Sequence, residues 1–235
     1  MLWLVVAWLA WLVAFASPIW SLGNPPYNYL AICCSACPAV AVLGARRPGV
    51  AAWNFVVAAL LALLLMPLVE QRWDAANWQL DGPRAILVSV ILLVGVGNYI
   101  RTRYAVPVLL AAATLGWNVL RLVRMEAPDW THALSVFLPG LLAVSVWITA
   151  SQLHPPRDAL AALWLAFRDG YGFLWARRVQ DQFNAAVKNA GGSESLTWRG
   201  VEPALKPGSL RQLELQALLQ VTLKRFGVQM SGKWE

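Results

Sequence analysis

Residues 50–69 read VAAWNFVVAALLALLLMPLV, without a single charge. About twenty consecutive apolar residues are what a helix needs to cross the hydrocarbon core of a bilayer. A helix packed on a soluble core would carry a polar stripe, and the interior of this run has none. Arg46 and Arg47 precede the run; Glu70, Gln71 and Arg72 follow it. A chain holding such a segment is expected to cross a membrane, and its other apolar runs decide how often. Composition extends the expectation to the whole chain, because 13% of its residues are charged where a soluble domain carries about 25%.

The expected fold is all-α: a polytopic membrane protein of about six transmembrane helices with a small, mainly helical C-terminal cytoplasmic domain. The spans are read at 2–22, 27–45, 50–69, 85–100, 104–120 and 133–153, so the membrane domain covers 1–153. The first run ends in a sequence like a signal-peptidase site, Ala14-Phe15-Ala16 before Ser17. It lacks the basic start of a signal peptide, and so reads as a span. The runs 85–100 and 104–120 are short and joined by Arg101-Thr102-Arg103, which reads as a helical hairpin. Breaks or kinks are expected at Pro38, at Gly95 to Gly97 and at Pro139. Several of the 14 Trp, Trp78 among them, lie at the ends of apolar runs. Indole rings favour that headgroup level.

Arg46, Arg47, Arg101 and Arg103 fall in short loops on one side of this arrangement. Basic residues in short loops stay cytoplasmic, so both termini are expected there, in a bacterial inner membrane. Arg72, Arg84, Arg121 and Arg124 count against that orientation. The net charge of +7 is read as this bias plus attraction to anionic lipid headgroups, not as nucleic-acid binding: the basic residues of the C-terminal part form no clustered stripe.

Residues 154–235 are polar enough for a cytoplasmic helical domain, with helices at about 158–190 and 209–226. Leu160, Leu163, Trp164, Phe167, Tyr171, Leu174 and Trp175 recur at three- and four-residue steps, the period of a helix. Gly170 and Gly172 flank Tyr171 and predict a bend or break. Gly191 and Gly192 end the helix. The sequence LTWRGV, 196–201, suggests one short strand. Ser209 with Gln212 forms a capping box for the second helix. Trp164, Phe167, Tyr171 and Trp175, with Arg168 among them, read as a membrane-interface patch, rings toward lipid and Arg toward phosphates. The competing reading buries the same rings against helix 209–226.

No motif announces chemistry. The three cysteines, Cys33, Cys34 and Cys37, lack a fourth ligand and read as packing residues. His132 and His154 sit at opposite ends of the last span, about 30 Å apart, too far to share a haem or metal. There is no Gly-rich phosphate loop, His-Glu-x-x-His or nucleophile elbow. No carboxylate falls inside a span, where ion-coupled carriers place one. Asn54, Ser89, Asn98, Thr114, Asn118, Ser135 and Ser145 are polar within spans and read as interhelical contacts. No cofactor, metal site or catalytic residue is expected. The functional expectation is a non-enzymatic scaffold or accessory subunit presenting its cytoplasmic domain to a protein partner or a second copy. The alternative is a small-molecule transporter or channel lined by the broken helices.

Overall fold

The structure, a computed structural model, describes residues 5–7, 9–10, 25–44, 51–71, 78–123, 130–151, 158–206, 208–224 and 226. Arg46, Arg47 and His154 lie outside them, as does most of the expected first span. The side chain of His132 is likewise not described.

From residue 25 onward, the described residues of the first part form the helices α1 (Pro25–Leu43), α2 (Ala51–Glu70), α3 (Gly82–Tyr99), α4 (Ala105–Val123) and α5 (Trp130–Ser151). Their starts follow local chemistry. The Asp81 carboxylate accepts a hydrogen bond from the Arg84 N–H at 3.1 Å, and proline occupies the first turn. Such a cap satisfies an otherwise unpaired N–H, so α3 begins at Gly82 rather than at residue 85. Among the described residues, four helices are long and apolar enough to cross a membrane: α1, α3, α4 and the Trp53–Glu70 part of α2. The outer faces of α2, α3, α4 and α5 carry large apolar side chains; Phe55 is 74% exposed and Trp147 on α5 is 70% exposed. Apolar surface of this extent is out of place in water and matches hydrocarbon.

The helix that organises the bundle is α1, not the charge-free run in α2. Tyr29, Ala31, Ile32, Cys33, Ala36 and Cys37 are buried along it. Of these, Tyr29, Ile32, Cys33 and Ala36 meet Leu64 and Leu68 of α2, Val88 of α3, and Val119 and Leu122 of α4 in one core. The Tyr29 hydroxyl donates to the Leu64 carbonyl at 2.7 Å. The three cysteines are free and buried; Cys37 donates to the Cys33 carbonyl and Cys33 to that of Leu64. Trp78 is also buried, 5.0 Å from the Tyr29 ring.

The expected breaks inside the apolar helices are absent: α1 continues through Pro38, α3 through Gly95 and Gly97, and α5 through Pro139. At Gly95 the lack of a side chain serves contact, since a β-carbon would come within 2.8 Å of Ala39 Cβ on α1. Thr114, Asn118 and Ser145 hydrogen-bond carbonyls of their own helices rather than those of neighbours.

The C-terminal part comprises α6 (Ala159–Asn189), a ribbon of β1 (Ser195–Leu196) and β2 (Val201–Glu202), and α7 (Leu210–Lys224). Asp158 caps α6 through the Leu160 N–H, and Ser209 caps α7 through the Gln212 N–H. The capping box is half-formed: the Gln212 amide oxygen accepts from the Gly208 N–H, and its nitrogen donates to Asp158, tying the two helix starts together. LTWRGV is a hairpin and not one strand. Leu196 pairs with Val201, and the chain turns at Gly200 with φ 146°, a conformation suited to glycine. Asn184 and Gln180 of α6 hydrogen-bond the Leu196 backbone and hold the ribbon down.

Candidate functional site

A break in α6 creates the junction between the apolar bundle and the C-terminal part. Gly172 has φ 78° and ψ −173°, which interrupts the helix and frees carbonyls before it and N–H groups after it. Asn98, in the last turn of α3, answers both sides. Its amide nitrogen donates to the Tyr171 carbonyl at 3.3 Å, and its amide oxygen accepts from the Leu174 N–H at 3.1 Å. Next to it the Tyr99 hydroxyl donates to the Gly170 carbonyl at 3.1 Å. A β-carbon at Gly172 would lie 2.6 Å from Asn98 Cγ and 2.7 Å from the Asn98 carbonyl oxygen. Glycine is therefore required twice, for its backbone angle and for the close approach.

A buried carboxylate continues the junction. Asp169 is 3% exposed. One of its oxygens accepts from Arg168 at 2.8 and 2.9 Å, and the other pairs with Arg103 Nε at 3.2 Å. Two guanidinium groups thus compensate one desolvated charge, as a buried carboxylate requires. Arg168 also donates to the Trp198 carbonyl at 2.8 Å and lies over the Trp198 ring. The Trp198 indole donates to the Arg101 carbonyl at 2.6 Å, and the Trp175 indole to the Val42 carbonyl at 2.9 Å. These bonds satisfy carbonyls left free at the C-terminal ends of α3 and α1. The end of α1, the α3–α4 turn and α6 therefore meet at one end of the bundle. At the other end the Leu80 N–H bonds the Leu122 carbonyl, and Arg84 pairs with Glu70.

In the structure the aromatic patch packs against protein, the arrangement of the competing reading. Trp164 and Phe167 have exposures of 0% and 2%. They share a core with Val179, Phe183, Leu215, Leu219, Leu223 and Phe226. Phe167 stacks on Tyr171 at 4.8 Å, and Trp175 lies 5.5 Å from Phe226. The Tyr171 hydroxyl donates to the Phe226 carbonyl, and burial pushes its phenol above the ordinary range. Arg168 is consumed by Asp169 and Trp198 rather than aimed at phosphates. Of the topology residues, Arg101 and Arg103 stand in the α3–α4 turn at this junction.

No protein-family model matches the chain, and neither a curated protein nor a solved structure matches it. Among the described residues no group of three His, Cys, Asp or Glu side chains could hold a metal. Asn98 was visible in the sequence as a polar residue in an apolar run, though not its partner 73 residues away. For Asp169 the sequence offers one signal, a lone acid inside an aromatic stretch; Trp198 carries none.

Proposed function

We propose that this protein is a non-enzymatic membrane scaffold or accessory subunit that holds its C-terminal helical part in a fixed orientation on one end of the bundle. About six spans are proposed, with both termini cytoplasmic in a bacterial inner membrane. Three features support the fixed orientation: the Asn98 bridge, the Asp169 ion cluster and the Trp175 bond to α1. The observation that carries the partner reading is the outward face of α7. Leu210, Leu213, Ala217 and Val221 follow a helical period and are exposed, Leu210 at 81% and Val221 at 72%. The opposite face, with Leu215, Leu219 and Leu223, is already used in the core. A helix that leaves a second apolar stripe in water suits a partner that covers it. The carrier alternative loses its motivating feature, because the apolar helices run unbroken and the break lies in α6 instead.

The test is isolation of the full chain from its native membranes in mild detergent. A partner protein in fixed ratio is expected, retained by the wild type and lost from Leu213→Glu with Val221→Glu. The variant should unfold at the wild-type temperature, since both side chains are exposed. Isolation with no protein in fixed ratio, or a partner that ignores the two substitutions, contradicts the reading.

A further inference from the structure

Beside the junction lies a cleft of about 380 Å³ lined by Arg101, Phe173, Arg177, Gln180 and Trp198. Its walls come from three places: the α3–α4 turn, the second half of α6 and the ribbon hairpin. The junction bonds already described fix those walls relative to one another. Arg101 lies over the Phe173 ring at 5.2 Å, and its own carbonyl is held by the Trp198 indole. The Phe173 ring therefore positions the guanidinium without neutralising it, and Trp198 fixes the backbone beneath it.

Charge around the cleft is unevenly matched. Asp169 is taken by Arg103 and Arg168. Asp181 pairs with Arg177 at 3.4 Å, both side chains more than half exposed, a contact of little strength in water. Among the described residues no carboxylate lies within 4.0 Å of the Arg101 guanidinium. Arg101 stands two positions past Tyr99, the last residue of α3. If α3 spans the bilayer, that places the cleft at headgroup depth, where phosphates are concentrated.

We infer that this cleft is a binding site for an anionic phosphate group, held by the guanidinium groups of Arg101 and Arg177. Guanidinium presents a planar fork of donors that matches phosphate oxygens, and a charge-assisted pair of this kind is stronger than a neutral hydrogen bond. Phe173 and Trp198 add apolar walls for the carbon body that carries the phosphate. The phosphate can arrive on a lipid headgroup or on a soluble ester, and the chemistry of recognition is the same. The site needs no protein partner, so it stands apart from the scaffold reading.

The test uses the purified full chain in detergent, with lipid retention read by native mass spectrometry. The probes are phosphatidylglycerol, phosphatidylcholine and glycerol 3-phosphate. The variants are Arg101→Gln with Arg177→Gln, Arg177→Gln alone, and Arg199→Gln, which removes one charge from the hairpin outside the cleft. Thermal unfolding confirms that each is folded; Arg177→Gln alone, at an exposed position, serves if the double variant is not.

The expected result is a roughly hundredfold loss of phosphatidylglycerol retention in the double variant, about tenfold for each lost charge-assisted hydrogen bond, with Arg199→Gln near wild type. Arg177→Gln alone should give a smaller loss in the same direction. Phosphatidylglycerol that resists millimolar glycerol 3-phosphate assigns the headgroup as the source. Displacement by the soluble ester, with cleft-dependent binding of the ester itself, assigns the soluble source. Undiminished retention in the cleft variants, an equal loss in Arg199→Gln, or equal retention of phosphatidylcholine overturns the site. A protein that binds phosphate this way yet has no partner would fail the scaffold reading alone.

Discussion

The side chain of Asn98 closes the helix break at Gly172, donating to the carbonyl on one side and accepting from an N–H on the other. A single amide therefore links the last turn of a candidate membrane helix to both halves of α6. Asn98 is 3% exposed, so both of its contacts are made away from bulk water.

Substitution at either partner should loosen the junction. Gly172→Ala forces a side chain into positive φ and against Asn98, with a cost of about 1–3 kcal/mol from the backbone alone. Asn98→Ala leaves a buried carbonyl and a buried N–H unpaired, at about 1–3 kcal/mol each. Thermal unfolding in detergent should show both variants well below wild type. A control change at Gly170, where nothing lies within 4 Å of an added β-carbon, should cost less than about 1 kcal/mol.

The ion cluster predicts an asymmetry. Asp169→Ala strands Arg168, whose side chain is only 11% exposed, and should cost about 3–5 kcal/mol. Arg103→Ala removes the more exposed partner and should cost about 1 kcal/mol or less. Equal losses in chemical denaturation would show that Arg103, not Arg168, compensates the carboxylate.

Much of this architecture is legible in the sequence, and the part that is not has a physical reason. Asp158, Ser209, Gly172 and Gly191 mark helix starts, a break and a stop, because capping and positive φ are local properties. The aromatic period of Trp164, Phe167, Tyr171 and Trp175 is equally plain. Its destination was not, because burying a ring is worth about 1.5–3 kcal/mol against lipid or against protein alike. The LTWRGV hairpin was hidden because its residues favour strands and Gly200 is the one sign of a turn. The pairings of Asn98 with Tyr171 and of Asp169 with Arg103 join residues far apart in sequence, and no local pattern encodes them.

Acid should act on the C-terminal part through Glu194. Hydrogen bonds from Arg211, at 2.8 Å to each carboxylate oxygen, hold the Glu194 carboxyl down to about 2 against an ordinary 4.5. A carboxylate with a depressed folded value adds stability that is full above its unfolded value and disappears as pH falls through the folded one. The tie between the ribbon and α7 should therefore hold at pH 5 and weaken progressively toward pH 2. Carboxyl-carbon NMR should give a midpoint near 2 that moves toward 4.5 in Arg211→Gln. A wild-type midpoint near 4.5 would contradict the pairing.

The two ends of the bundle should lie on opposite sides of the membrane. Gln79 is at the end where Leu80 bonds Leu122; the α3–α4 turn and the C-terminal part are at the other. Reporter fusions after Gln79 and after Glu235 should give opposite locations, with the second cytoplasmic. The same location for both would mean that the helices between them cross the bilayer an even number of times.

The fixed attachment of the C-terminal part is tested most directly by hydrogen exchange at the Leu174 amide, followed in the full chain embedded in lipid nanodiscs. That N–H follows a helix break and has Asn98 Oδ1 as its partner. Slow exchange is expected in the wild type, comparable to amides in the middle of α6, and fast exchange in Asn98→Ala. Fast exchange at Leu174 in the wild type, with the rest of α6 protected, would mean that the C-terminal part is not held by α3.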